Sequence, residues 1–84
     1  MWYFYILQSE KDDKRYFGST KDLRNRINLH NNGFVTSTKN RRPLKLIYYK
    51  AYLEESTARK REHTVKSSRG SRTALLKRIN IIGA

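Results

Sequence analysis

Apolar and polar positions change period several times along the chain, and each change marks a boundary. Residues 2–7 (WYFYIL) place Tyr3, Tyr5 and Leu7 on one side of an extended backbone and Trp2, Phe4 and Ile6 on the other. This aromatic, branched run predicts a strand over about 2–8, and its two apolar sides predict cover on both faces. Residues 14–19 alternate again and predict a second strand. Lys11-Asp12-Asp13 supplies the turn between them, so the two strands form an antiparallel hairpin. An antiparallel register can then set Tyr5 and Tyr16 side by side on one face.

A helical period follows. Thr20 is the expected N-cap of a helix over about 21–31, with Asp22 in its first turn and Leu23 and Ile27 as its core stripe. At 100° per residue, Arg26 and His30 flank that stripe instead of facing open water. Asn31-Asn32-Gly33 ends the helix. Residues 33–43 read as a basic loop, and Pro43 sets up a third strand over 44–52 with Leu44, Leu46, Tyr48 and Tyr52 on one face. A second helix over about 54–66 has few apolar positions, Ala58 and Val65. Glu62 falls on the same stripe, at i+4 from one and i−3 from the other, where a carboxylate needs a partner such as Arg59 or Lys66. Residues 67–70 break the chain, and Ser71 caps a last helix whose Leu75, Leu76 and Ile79 close the core. The order is ββαβαα: one small α+β domain, 1–84, with a three-stranded antiparallel sheet flanked by helices.

Composition narrows the partners. At 84 residues the chain is near the lower size limit for an unaided core, and without cysteine it has neither disulfides nor a thiolate metal site. Nineteen Lys and Arg against seven Asp and Glu give a net charge of +12, which points to a polyanion: nucleic acid first, an anionic membrane surface second. The apolar start is too short to span a bilayer and lacks a basic n-region, so the expected location is cytoplasmic. Charge alone says nothing about catalysis.

Taken singly, each tyrosine more often packs a strand than reacts, Arg26 could be a solvated helix residue, and His30 could complement a helix dipole. Together, Tyr5, Tyr16, Arg26, His30 and the inward Glu62 are a sufficient kit for phosphodiester cleavage. A carboxylate can hold one Mg²⁺, which prefers oxygen ligands and keeps several waters. A guanidinium can neutralise charge building on phosphoryl oxygens. A phenol, ordinarily near pKa 10, serves as a base at neutral pH only if positive charge or a metal lowers it, with His30 as the alternative base. His30 and His63 are too few for a zinc hydrolase, and no glycine-rich phosphate loop is present.

The ordered set resembles the GIY-YIG nuclease superfamily, in particular its short single-domain branch. Tyr3-Phe4-Tyr5 and Tyr16-Phe17-Gly18 stand for the two tripeptides, and Arg26 with His30 four residues on matches the following helix. Thr38-Lys39, Arg41-Arg42-Pro43, Leu46-Ile47-Tyr48-Tyr49 and 58–66 with Glu62 extend the resemblance over about 2–68. The first tripeptide lacks its glycine and Phe17 replaces the usual isoleucine, but neither change removes a reacting group. Many members carry a late asparagine, for which Asn80 is the only late match. The resemblance implies a one-metal nuclease: Glu62 on Mg²⁺ or Mn²⁺, Tyr5 and Tyr16 around the attacking water, Arg26 on the scissile phosphate, His30 orienting the nucleophile or assisting proton transfer.

The expectation is therefore a metal-dependent DNA endonuclease, acting on branched, damaged or single-stranded structures, with RNA not excluded. Lys39, Arg41, Arg42, Arg69 and Arg72 are the expected phosphate contacts, and no base-reading helix-turn-helix or zinc finger is present. One small domain nicks one strand at a time, and cutting both needs a homodimer or a second event. The rival readings are a non-catalytic nucleic-acid-binding module and a basic adaptor that takes its specificity from a partner protein. The inward Glu62 favours the enzyme.

Overall fold

A computed structural model describes residues 1–79. Its centre is β1, Trp2–Ser9, which pairs antiparallel with β2, Arg15–Thr20, and with β3, Leu44–Tyr52, in the order β2-β1-β3. The helices are α1, Leu23–Asn31, α2, Glu55–Ser67, and α3, Arg69–Arg78, with a 3-10 turn at Lys39–Arg41 before β3. The α+β order ββαβαα is the one the sequence predicts, and Asn80 lies outside the described residues.

β1 is covered on both faces, as its two-sided apolar pattern requires. Tyr5, Leu7 and Leu44 are buried with Leu23 and Ile27 of α1 against them. Phe4 and Ile6 face the other way, onto Val65 of α2 and Leu75 and Leu76 of α3. Each large side chain buried this fully contributes roughly 1.5–3 kcal/mol, so four in succession on β1 anchor both layers at once. Two polar clamps fix the approach to β3. The Asn31 side chain donates to Leu44 O at 2.9 Å and accepts from Leu44 N at 2.7 Å. Ser9 Oγ donates to Arg41 O at 2.6 Å while accepting from the turn amides of Lys11 and Asp12 at 3.0 and 3.2 Å.

Three details depart from the sequence expectation. The cap of α1 is Asp22, which accepts from Asn25 N at 3.0 Å, while Thr20 Oγ1, two residues earlier, accepts from Asp22 N at 3.2 Å. Leu44, Leu46, Tyr48 and Tyr52 do not share a face. The β1–β3 register slips between Ile6 and Leu7, so Ile6 pairs with Tyr48 but Leu7 with Leu46. The extra residue, Ile47, reverses the parity: Leu44 and Leu46 face α1, whereas Ile47, Tyr48 and Tyr52 face α2 and α3. Finally, the break between the last helices is one residue long. Ser68 ends α2 and caps α3 by accepting from Ser71 N at 3.2 Å, which leaves Gly70 inside the first turn of α3.

Candidate active site

Between the β1–β2 hairpin and α1 lies a polar layer built around Tyr5. Its partner across β2 is Gly18, where an added Cβ would stand 2.5 Å from the Tyr5 hydroxyl oxygen, so only glycine lets the ring lie across the strand. Tyr16, the partner of Leu7, is diagonal to Tyr5 on the same face, with ring centroids 6.2 Å apart. Above both comes His30 in the last turn of α1, 0% exposed. Its Nε2 lies 3.0 Å from the Tyr5 hydroxyl and its Nδ1 2.8 Å from Thr38 Oγ1. Its ring meets that of Tyr16 edge to face at 4.8 Å. One turn earlier on α1 is Arg26, whose guanidinium is favoured in its charged form by the neighbouring Tyr5 phenol first and by Tyr16 after it.

Burial decides the protonation of this layer. It pushes Tyr5 up to about 12, outweighing the nearby Arg26 guanidinium, which works to lower it. The positive charge of the chain, which the sequence offered as the means to lower a phenol, is thus overridden at Tyr5. Burial, joined by the charge of Arg26, brings His30 down to about 4. At neutral pH Tyr5 keeps its proton and His30 is a neutral imidazole, with one nitrogen donating and the other accepting.

Glu62 reaches the layer from the far side. α2 packs on the opposite face, and the Glu62 side chain, 23% exposed, accepts from Ser19 Oγ at 2.5 Å and from Lys66 Nζ at 2.7 Å. The Lys66 ammonium also stands 5.6 Å from the centroid of the Tyr16 ring. Because Ser19 and Tyr16 have opposite parity, this chain of contacts bends round the open edge of β2. The partner of the inward carboxylate is Lys66; Arg59 instead pairs with Glu55 at 2.6 Å. His63 points outward. Among the described residues, no group of three or more His, Cys, Asp or Glu is placed to hold a metal.

The basic residues divide. Lys39 and Arg69 are exposed, and Arg42 is exposed while donating from Nε to Lys39 O at 2.7 Å. Arg41 is tied to Asp12 at 3.4 Å and to Arg15 O at 3.4 Å. Arg72 donates to the carbonyls of Val65 and Lys66 at the end of α2, at 3.3 and 3.2 Å. Arg41 and Arg72 therefore hold the fold together with part of their guanidinium groups. Sequence reasoning assigned no role to two side chains of the site, Thr38 on the imidazole and Ser19 on the carboxylate. Both are small hydroxyl residues outside any apolar stripe, and only the family resemblance drew attention to Thr38.

Known proteins match the same segments. The model of the GIY-YIG catalytic domain matches residues 1–78. A UPF0213 protein of Staphylococcus saprophyticus is 42% identical over 66 residues, spanning 77% of this chain and 79% of that protein. One from Lactiplantibacillus plantarum is 39% identical over 79 residues, 90% of this chain and 75% of that protein. The solution NMR structure of a UPF0213 protein from Bacillus halodurans superposes with a TM-score of 0.58 at 32% identity, covering 92% of this chain and 84% of that one. The matched span contains both tyrosine-bearing strands, the Arg26–His30 helix and Glu62, and on this evidence the chain belongs to the GIY-YIG family, a nuclease fold.

Proposed function

We propose that the protein is a divalent-metal-dependent endonuclease that hydrolyses phosphodiester bonds in DNA, on branched, damaged or single-stranded structures in repair or recombination. The observation that carries this reading is the convergence of Tyr5, Tyr16, Arg26, His30 and, round the edge of β2, Glu62. Glu62 would hold Mg²⁺ or Mn²⁺, and the ion when bound would supply positive charge against the scissile phosphate. Lys66 holds that carboxylate through an i,i+4 pair on the surface of α2, a contact worth only about 0.3–0.5 kcal/mol, so it gives way readily.

The chain's own groups do the rest. Arg26 neutralises charge on the phosphoryl oxygens. Tyr5, holding its proton, donates a hydrogen bond and relays a proton to or from Nε2 of His30, so it is not a resting base. Tyr16, only half-buried, orients the attacking water. Lys39, Arg42 and Arg69 take flanking phosphates, with the remaining N–H groups of Arg41 and Arg72 beside them. One such site cuts one strand per event.

A cleavage panel of labelled single strand, duplex, flap, branched DNA and RNA, with Mg²⁺ or Mn²⁺, tests the proposal. Glu62→Ala and Arg26→Ala, with folding verified by circular dichroism, should each lose roughly 100-fold or more of the rate. Cutting that survives Glu62→Ala would remove the metal site from the scheme. Binding without cutting across the whole panel would favour the non-catalytic binding module.

A further inference from the structure

On the flank of α1 away from Arg26 and His30, helix and sheet do not close on each other. A cleft of about 750 Å³ opens there between α1 and the β1–β3 pair. Tyr3 and Tyr49 form its wall, meeting edge to face with centroids 6.0 Å apart, and Tyr49 is 54% exposed. Leu23, Ile27 and Leu46 give it an apolar floor. Lys21 and Arg24 stand on the rim with the Asn28 amide. Asp22 also lies on the rim, but one of its carboxylate oxygens accepts from Asn25 N as the helix cap.

We propose that this cleft takes one unpaired nucleobase, stacked on Tyr49, with the flanking phosphates on Lys21 and Arg24. The inference rests on the nucleic-acid reading above and sharpens it to strands with at least one base out of the helix. Three features select this occupant. An open aromatic face stacks on any base without regard to sequence. An apolar floor with a single amide suits a flat ring with a polar edge. Two rim cations in a chain of net charge +12 favour phosphate over an acidic side chain or an apolar peptide. A paired base keeps its faces inside the duplex stack, so a duplex cannot present one here. Tyr3 is two residues from Tyr5 on the same face of β1, about 7 Å along the strand. The cleft and the catalytic layer are therefore neighbours with α1 between them, and one strand can engage both.

The test is binding, measured without metal so that nothing is cut. Fluorescence anisotropy would compare a labelled oligothymidylate with an abasic strand of equal length and with the matching duplex. Wild type should favour oligothymidylate over the abasic strand by roughly 5- to 150-fold, the range for stacking of one base on an aromatic side chain. Tyr49→Ala should bind both as wild type binds the abasic strand, and Tyr49→Phe should keep the preference. Tyr49→Leu retains apolar cover for Tyr3 but no aromatic face, and it carries the comparison if the alanine variant unfolds. An undiminished preference in Tyr49→Leu, or no preference in wild type, would overturn the proposal. Either result leaves the nuclease reading intact if the metal-dependent cleavage panel is positive. Loss of cleavage capacity alone, with base preference retained, would sink the nuclease reading and not the cleft.

Discussion

Acid should destabilise this protein through His30 at pH values well above those at which carboxylates titrate. The imidazole is fully buried, and burial with the charge of Arg26 moves it from 6.5 down to about 4. In the unfolded chain the same ring takes up a proton near 6.5. Between these values the unfolded state binds a proton that the folded state does not, so stability rises with pH in this window and falls on acidification. The contribution is fully present above about pH 6.5 and is lost as the pH falls toward 4. At about 1.36 kcal/mol per unit, the total is about 3 kcal/mol, of which about 2 kcal/mol disappears between roughly pH 7.5 and 5. That is a sizeable fraction of the 5–15 kcal/mol typical of a whole domain. Asp12, lowered chiefly by a hydrogen bond from the Lys14 backbone, titrates below this window.

The assay is urea unfolding followed by Trp2 fluorescence across that pH range, for wild type and His30→Gln. Glutamine keeps one donor and one acceptor for Tyr5 and Thr38 but does not titrate. What is compared is the slope with pH, so a constant loss of stability in the variant does not matter. Wild type should lose about 2 kcal/mol more than His30→Gln between pH 7.5 and 5. Parallel curves would mean that His30 is not a buried neutral imidazole, and the protonation states assigned to the layer would fall with it.

Two further substitutions probe the same layer. Gly18→Ala forces a methyl against the Tyr5 ring and should cost about 1–3 kcal/mol, with each kcal/mol lowering the melting temperature by roughly 4–8 °C. An unchanged melting temperature would mean that the ring does not lie across Gly18. Thr38→Val leaves Nδ1 of a buried His30 without its partner and should cost about 1–3 kcal/mol by urea unfolding. Thr38→Ser should restore both stability and the ¹⁵N shifts that report the imidazole tautomer. A valine variant with wild-type shifts would show that Thr38 does not position the ring.

The sequence carries some of this plainly and hides the rest for physical reasons. Period-two alternation leaves Tyr5 and Tyr16 two faces each, and the hairpin register, with Tyr5 opposite Gly18 and Leu7 opposite Tyr16, puts both on the same one. Four-residue spacing places Arg26 and His30 together because a helix repeats every 3.6 residues. The bulge in β3 leaves no such mark, since Leu44, Leu46, Ile47, Tyr48 and Tyr49 are all apolar or aromatic and one extra residue does not break their pattern. Thr20 and Asp22 are both good cap residues, and only the Asn25 amide decides between them. Ser68 serves two helices, so residues 67–70 read as a longer break than the chain makes. Thr38 and Ser19 act through partners far away in sequence, His30 and Glu62, and nothing local announces such contacts. The structural arginines Arg41 and Arg72 look the same as the free ones in a chain this basic.

The sheet order explains how so small a protein assembles the site. Tyr5 is both a core residue, 1% exposed, and the centre of the polar layer, so the packing that stabilises β1 also fixes the hydroxyl. The strand is central because it must support α1 on one face and α2 and α3 on the other. Glu62 belongs to the second face, anchored by Ala58 and Val65, which are buried there. It meets the first face only because a single short strand, β2, separates it from the open edge. One more strand beyond β2 would bury that edge and shut Glu62 and Lys66 away from Tyr16. An exposed edge invites pairing with other chains, and here it is kept to six residues, with Lys14 and Arg15 at its start and Glu62 with Lys66 against its side. The unpaired edge is thus the feature that brings Glu62 and Lys66 from one face of the fold to Tyr16 on the other.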